Sequence, residues 1–231
     1  VTITGDVAAT LAELIVINNA TTGPITLNAA TIEEDYSGSA DDLGKAFAGA
    51  ITELTGTLTI TGEDAATLEQ LTIINNATTG PIMLNEATIE ENYSGSAAEL
   101  AAMFRETYTY IEHTEAVTIT GEVAATLDQL IVINNETTGS ITLNEATIEE
   151  DYSGSADDLG EAFAGTITGY TGKLTSVGET SVAQANQFDA ATTGVVKATL
   201  KDTAEELAKL TGTGNDYTIT ITGDDAATVE Q

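Results

Sequence analysis

Carboxylates are the one chemical feature that this chain repeats. Glu33, Glu34, Asp35, Asp41 and Asp42 fall within ten residues around a YSGS string expected to form a turn, and Glu149, Glu150, Asp151, Asp157 and Asp158 repeat them. Calcium takes six to eight hard oxygens from carboxylates and loop carbonyls. Asp35, Asp41, Asp42, Asp151, Asp157 and Asp158 are therefore the expected calcium ligands. Asn92 and Ala98 replace two of these in the middle copy, so a site there is expected to be weaker or missing. The chain has no EF-hand loop, and TGTGND at 211–216 is a lone glycine-rich string rather than a tandem array. The same acids have a plainer use, as helix caps and as a solvated face.

Acid–base catalysis needs a second group within reach of the first. His113 is the only His and Arg105 the only Arg, and both lie in the irregular stretch MFRETYTYIEHTEA at 103–116 with Tyr108 and Tyr110. A polysaccharide lyase could use such an Arg beside calcium, but no partner recurs with it. The expectation is that the chain is not an enzyme and has no cofactor other than calcium.

Threonine offers a third chemistry. Thr2 and Thr4, Thr59 and Thr61, Thr118 and Thr120, and Thr220 and Thr222 form Thr-x-Thr pairs. Flat arrays of this kind resemble ice-binding faces, and they also suit glycan. Thr equally fits any exposed strand position, and Met83 interrupts the array. Asn19, Asn76, Asn92 and Asn135 open N-x-S/T sequons, which count only in a glycosylating host.

These residues are carried on repeats. VTITG at 1–5 recurs as LTITG at 58–62, VTITG at 117–121 and TITITG at 218–223. Gly5 to Gly62 is 57 residues and Gly62 to Gly121 is 59. Residues 1–52 and 117–168 differ at only eight positions. The repeats run 1–56, 57–115 and 116–172, followed by a diverged short repeat at 173–217 and a partial one at 218–231, all in one continuous solenoid. The chain stops inside a first-coil helix, so it reads as a segment of a longer array.

Each repeat alternates strand and helix. Val1 and Ile3 point one way, Thr2 and Thr4 the other, giving one apolar sheet face and one Thr-rich face. Ser39, Ser96 and Ser155 stand three residues before Asp42, Glu99 and Asp158, the spacing of a helix N-cap. The TTG glycines at 23, 80, 139 and 194 read as helix stops. Leu11, Leu14, Ile17, Ile25, Leu27, Leu43 and Phe47 are the expected core of the first repeat. Strand–helix–strand order implies right-handed crossovers and parallel strands. No single repeat can bury its own apolar face, so repeats must stack. The expected fold is an α/β repeat solenoid: nine short stacked parallel strands, short covering helices and an exposed Thr-rich sheet face.

Composition narrows the role. Of 231 residues 42% are hydrophobic, enough for a core, while Trp and Cys are absent. Disulfides and thiol chemistry are thereby excluded. Six Lys and Arg against 37 Asp and Glu give a formal charge of −31. Such a surface repels nucleic acid and anionic lipid. No apolar run approaches the roughly 18–20 residues of a membrane span.

The strings DYSGSADDL, AFAG, DAATTGVV and LTGTGNDYTIT resemble repeats of giant cell-surface and secreted proteins of marine cyanobacteria, the swimming-associated giant surface protein type. The likeness covers essentially the whole chain. It implies an extracellular, saline, calcium-rich setting and a non-enzymatic role. The expectation is a spacer or building block of a surface layer, fibre or adhesin, partnered by self-association or by neighbouring repeats of a longer chain. The alternative is a ligand-binding solenoid that uses its Thr face for ice or glycan.

Overall fold

A computed structural model of the protein describes residues 1–49, 51, 53–104 and 113–223. Among these residues the fold is mixed α/β, with parallel strands in three sheets. It divides into two compact units, one of residues 1–93 and 99–115, the other of 94–98 and 116–231. The boundary at 115 coincides with the junction of the second and third repeats.

In the first unit the order is α1 (Leu11–Asn19), α2 (Ala29–Glu33), β1 (Tyr36–Gly38), α3 (Ala40–Phe47), β2 (Leu58–Ile60), α4 (Leu68–Ala77), β3 (Ile82–Met83) and α5 (Glu86–Ile89). β4 (Tyr93–Gly95), which passes into the second unit at Ser94, and α6 (Ala97–Met103), which returns to the first at Glu99, follow. β1, β2 and β3 form one parallel sheet, with Tyr36 opposite Leu58 and Leu58 opposite Ile82. α1 packs on α3, and α3 on α4.

The second unit continues with β5 (Val117–Ile119), α7 (Leu127–Glu136), β6 (Ser140–Thr142), α8 (Glu145–Glu149), β7 (Tyr152–Ser155), α9 (Ala156–Ala162) and β8 (Thr166–Ile167). Then come β9 (Leu174–Thr180), α10 (Val182–Ala191), β10 (Val196–Thr203), α11 (Ala204–Leu207) and β11 (Asp216–Thr222). One sheet has the order β4-β5-β6-β8 and another β7-β9-β10-β11. The diverged short repeat thus supplies the longest strands.

The strands depart from the sequence expectation in two details. Among the described residues the strands are divided among three sheets, where one stack of nine was expected. The YSG string is not a turn but a strand, β1, β4 and β7, pairing with a strand such as LTI about 22 residues on. Its Tyr points into the core, which outweighs the turn preference of Ser and Gly.

Helix starts are marked by boxes. Thr10–Glu13, Thr67–Gln70, Thr126–Gln129 and Ser181–Gln184 each exchange side-chain and backbone hydrogen bonds at the N-terminus of α1, α4, α7 and α10. Ser39 and Ser155 accept from Asp42 N and Asp158 N, as their spacing predicts. The TTG glycines do not act as left-handed helix stops. Gly80 has no positive φ, and a Cβ there would lie 2.3 Å from Thr55 O. Its place is fixed by close backbone approach.

The core is aliphatic. Leu14, Ile25, Leu43 and Phe47 are buried, whereas Leu11, Ile17 and Leu27 are half-buried. The later copies Ile74, Ile133 and Leu143 are buried. Among the described residues no helix is long and apolar enough to cross a membrane.

Candidate functional site

The residues that recur most faithfully fasten one coil to the next. In the first repeat, Thr31 on α2 is fully buried, and its Oγ1 accepts the amide of Ala9 at 2.9 Å. Tyr36 on β1 donates its hydroxyl to the carbonyl of that same Ala9 at 2.8 Å. Both backbone groups of one buried residue are thus satisfied by side chains from further along the chain. Thr88 and Tyr93 hold Ala66 in this way, and Thr147 and Tyr152 hold Ala125. Burial pushes the Tyr36 phenol up to about 12, with the charge of Glu34 adding to it. Tyr93, Tyr152 and Tyr170 are raised by the same cause.

Asparagines make a second set of fastenings. Asn28 caps α2, accepting from Thr31 N, and its Nδ2 donates to Gly5 O and Val7 O. Gly5 has φ +101°, so the cap holds down the turn that glycine permits. Asn85 and Asn144 repeat this contact on the turns at Gly62 and Gly121. Between helices, Asn18 Nδ2 donates to Lys45 O and Ala48 O, Asn75 to Ala102 O, and Asn134 to Glu161 O. Sequence reasoning missed this clamp. The signal was present as Thr31, Thr88 and Thr147 at fixed distances from their tyrosines, but it was lost among many threonines.

The six expected calcium ligands are all exposed. Asp35 Oδ1 accepts from Thr57 N at 2.6 Å, and Asp151 Oδ1 from Lys173 N at 2.7 Å, so each caps a neighbouring strand. Asp41 pairs with Lys45 one helical turn on, and the hydrogen bond to Asp41 holds the Lys45 ammonium up. Asp157 Oδ1 accepts from Gln184 Nε2 at 2.9 Å. Asp42 and Asp158 sit in the first turns of α3 and α9, where the helix dipole favours acids. Among the described residues no group of three or more His, Asp or Glu is gathered as a metal cage.

His113 is buried, in the core position held by Leu54 and Tyr170 in the neighbouring repeats. Its ring lies 5.2 Å from Tyr93 and 5.7 Å from Phe104. Burial lowers its pKa, against the opposing pull of Glu115. Arg105, Tyr108 and Tyr110 lie outside the described residues, as does the end of the partial repeat beyond Gly223.

The outward sheet positions form mixed rows. One row reads Ser37, Thr59, Met83, and another Ser153, Thr175, Lys197, Asp216. Lys197 and Asp216 form an exposed ion pair at 3.7 Å. Thr2 faces Thr26, and Thr118 faces Thr142.

Compared with protein-family models, curated proteins and solved structures, the chain matched none.

Proposed function

We propose that the chain is a structural, non-enzymatic repeat protein of the cell exterior, a spacer or building block of a surface layer, fibre or adhesin, wound as one α/β solenoid. The observation that carries this reading is the Thr–Ala–Tyr clamp, made three times with the same atoms. The repeated residues serve coil-to-coil attachment, and the outward rows vary. A spacer needs that division: a constant fastening and a tolerant surface.

The charge of −31 fits a saline, calcium-rich medium. Calcium is the counter-ion this reading assigns to Asp35, Asp41, Asp42, Asp151, Asp157 and Asp158. The partners are further copies of the repeat, within a longer chain or between chains. The resemblance to giant surface proteins of marine cyanobacteria supports the same reading. A Thr face for ice or glycan has less support, since Met83, Lys197 and Asp216 stand in its rows.

The test is length. Chains carrying one, two and three added copies of residues 57–115 are compared by small-angle X-ray scattering. A solenoid lengthens by a constant step, on the order of 10 Å per repeat if two strands at 4.8 Å are added. A maximum dimension that grows only as the cube root of mass would overturn the reading.

A further inference from the structure

β4 and β5 are neighbours in one sheet, and the chain leaves them at Ser96 and at Thr120. Sheets covered by helices hold ligands beyond the carboxyl ends of their strands. Between these two exits lies a pocket of about 280 Å³, all of it within the second unit. Its apolar lining is Ala97, Ala98, Val123 and Ala124, and its polar lining includes Gln129, Glu122 and Thr120. Ala97 is buried, whereas Val123 stands at the mouth, 81% exposed.

Two substitutions set this junction apart. Ala98 stands where α3 and α9 have Asp41 and Asp157, and Val123 stands where the second repeat has Asp64. On α9 that aspartate is in use, because Gln184 Nε2 donates to Asp157 Oδ1 at 2.9 Å. Gln129 is the counterpart of Gln184, the third residue of α7. Its Oε1 accepts from Thr126 N at 2.9 Å, which fixes the amide and leaves Nε2 as the free end. With Ala98 in place of Asp, Nε2 has no acceptor among the described residues. The rim is already held. Asn144 Nδ2 donates to Gly121 O and Val123 O, both at 2.9 Å, so binding has little loop to order.

The lining selects a chemistry. Gln129 Nε2 calls for an acceptor oxygen. Glu122 is exposed and pairs with no Lys among the described residues, so it disfavours a carboxylate and suits an N–H. The alanines and Val123 offer methyl groups to another methyl. Acceptor, N–H and methyl together make an acetamido group. The pocket lies just below the roughly 300–1,000 Å³ of drug-sized sites, so the body that carries this group is a single ring. Thr120 offers that ring a hydroxyl. A peptide also carries amides, but it binds along an extended groove or sheet edge.

We infer that this pocket binds an N-acetylated amino sugar, with its carbonyl on Gln129 Nε2, its N–H on the Glu122 carboxylate and its methyl against Ala98 and Val123. This gives the adhesin reading above a ligand, and rests on it.

The test is a titration of the isotope-labelled full chain, followed by NMR. The probes are N-acetylglucosamine, glucose, acetate and N-acetylalanine methylamide. N-acetylglucosamine is expected to shift the Gln129 side-chain amide and the Ala98 and Val123 methyls, with a dissociation constant of about 1 mM. The other probes leave these signals in place. Gln129→Glu removes the donor and keeps the cap, as Glu13 does on α1. Ala98→Asp restores the residue that α3 and α9 carry. Each is expected to weaken the sugar about tenfold, the worth of one lost contact. No shift at about 50 mM sugar, where a millimolar site is nearly full, overturns the proposal. So does a shift that survives both variants. Equal binding of glucose or acetate overturns it by removing the acetamido group as the determinant, and equal binding of the methylamide assigns the pocket to a peptide. The scattering series with added repeats does not sense this pocket, so the two readings can fail separately.

Discussion

The hydroxyl of Tyr152 donates to the carbonyl of Ala125 at 2.5 Å, 27 residues back along the chain, and both groups are buried. Removing a donor from a buried carbonyl costs about 1–3 kcal/mol, more than the net worth of the bond. Tyr152→Phe is expected to lower stability by that amount. Urea denaturation followed by circular dichroism measures it, and a loss near zero would show that water can replace the hydroxyl.

The threonine half of the clamp provides an internal contrast. Thr88→Val keeps the shape and leaves the Ala66 amide without its acceptor, so a loss of about 1–3 kcal/mol is expected. Thr59→Val, on the outward side of β2, is expected to fall within about 0.5 kcal/mol of the parent. Equal effects from the two substitutions would refute the clamp as the seat of stability.

His113 makes the first unit sensitive to mild acid. Its folded pKa is lowered, so the unfolded chain binds the proton more readily. The stability is complete above the unfolded value of about 6.5 and falls as pH drops from there towards the folded pKa. His113→Leu places in this position the residue found at Leu54, and it is expected to flatten that limb of the stability–pH curve. Parent and variant curves that stay parallel between about pH 5 and pH 7 would sink the assignment.

Calcium is tested by thermal unfolding with calcium and with chelator at one ionic strength. Calcium is expected to raise the midpoint, since a ligand bound only by the folded form adds about 2.7 kcal/mol at a hundred times its dissociation constant. Asp151→Asn with Asp157→Asn is expected to reduce the rise. An unchanged midpoint would leave the six aspartates as caps and solvated surface.

Much of the helical packing was legible because it is local. Leu14 is buried on the stripe set by three- and four-residue spacing, and Leu43 and Phe47 are buried at the same interval on α3. Strand direction followed from the alternating order of elements. The clamp was not legible, because Ala9 and Tyr36 are 27 residues apart and no local rule joins them. The YSG strands were read as turns for a related reason. Ser and Gly favour turns locally, while the pairing of Tyr36 with Leu58 is decided by a partner 22 residues away. The four capping boxes, by contrast, were readable in TLAE, TLEQ, TLDQ and SVAQ. They were overlooked beside the more conspicuous acids.

The reach of the clamp has a consequence for how such a gene changes. Thr31 and Tyr36 find Ala9 within 22 and 27 residues, and the repeat is 57 or 59 residues long. Both halves of every clamp therefore travel in one block. Unequal recombination between copies, if it stays in register, adds or deletes whole blocks and never separates a donor from its acceptor. Each product inherits complete fastenings, so the number of repeats can drift between generations without a refolding problem to solve at each step.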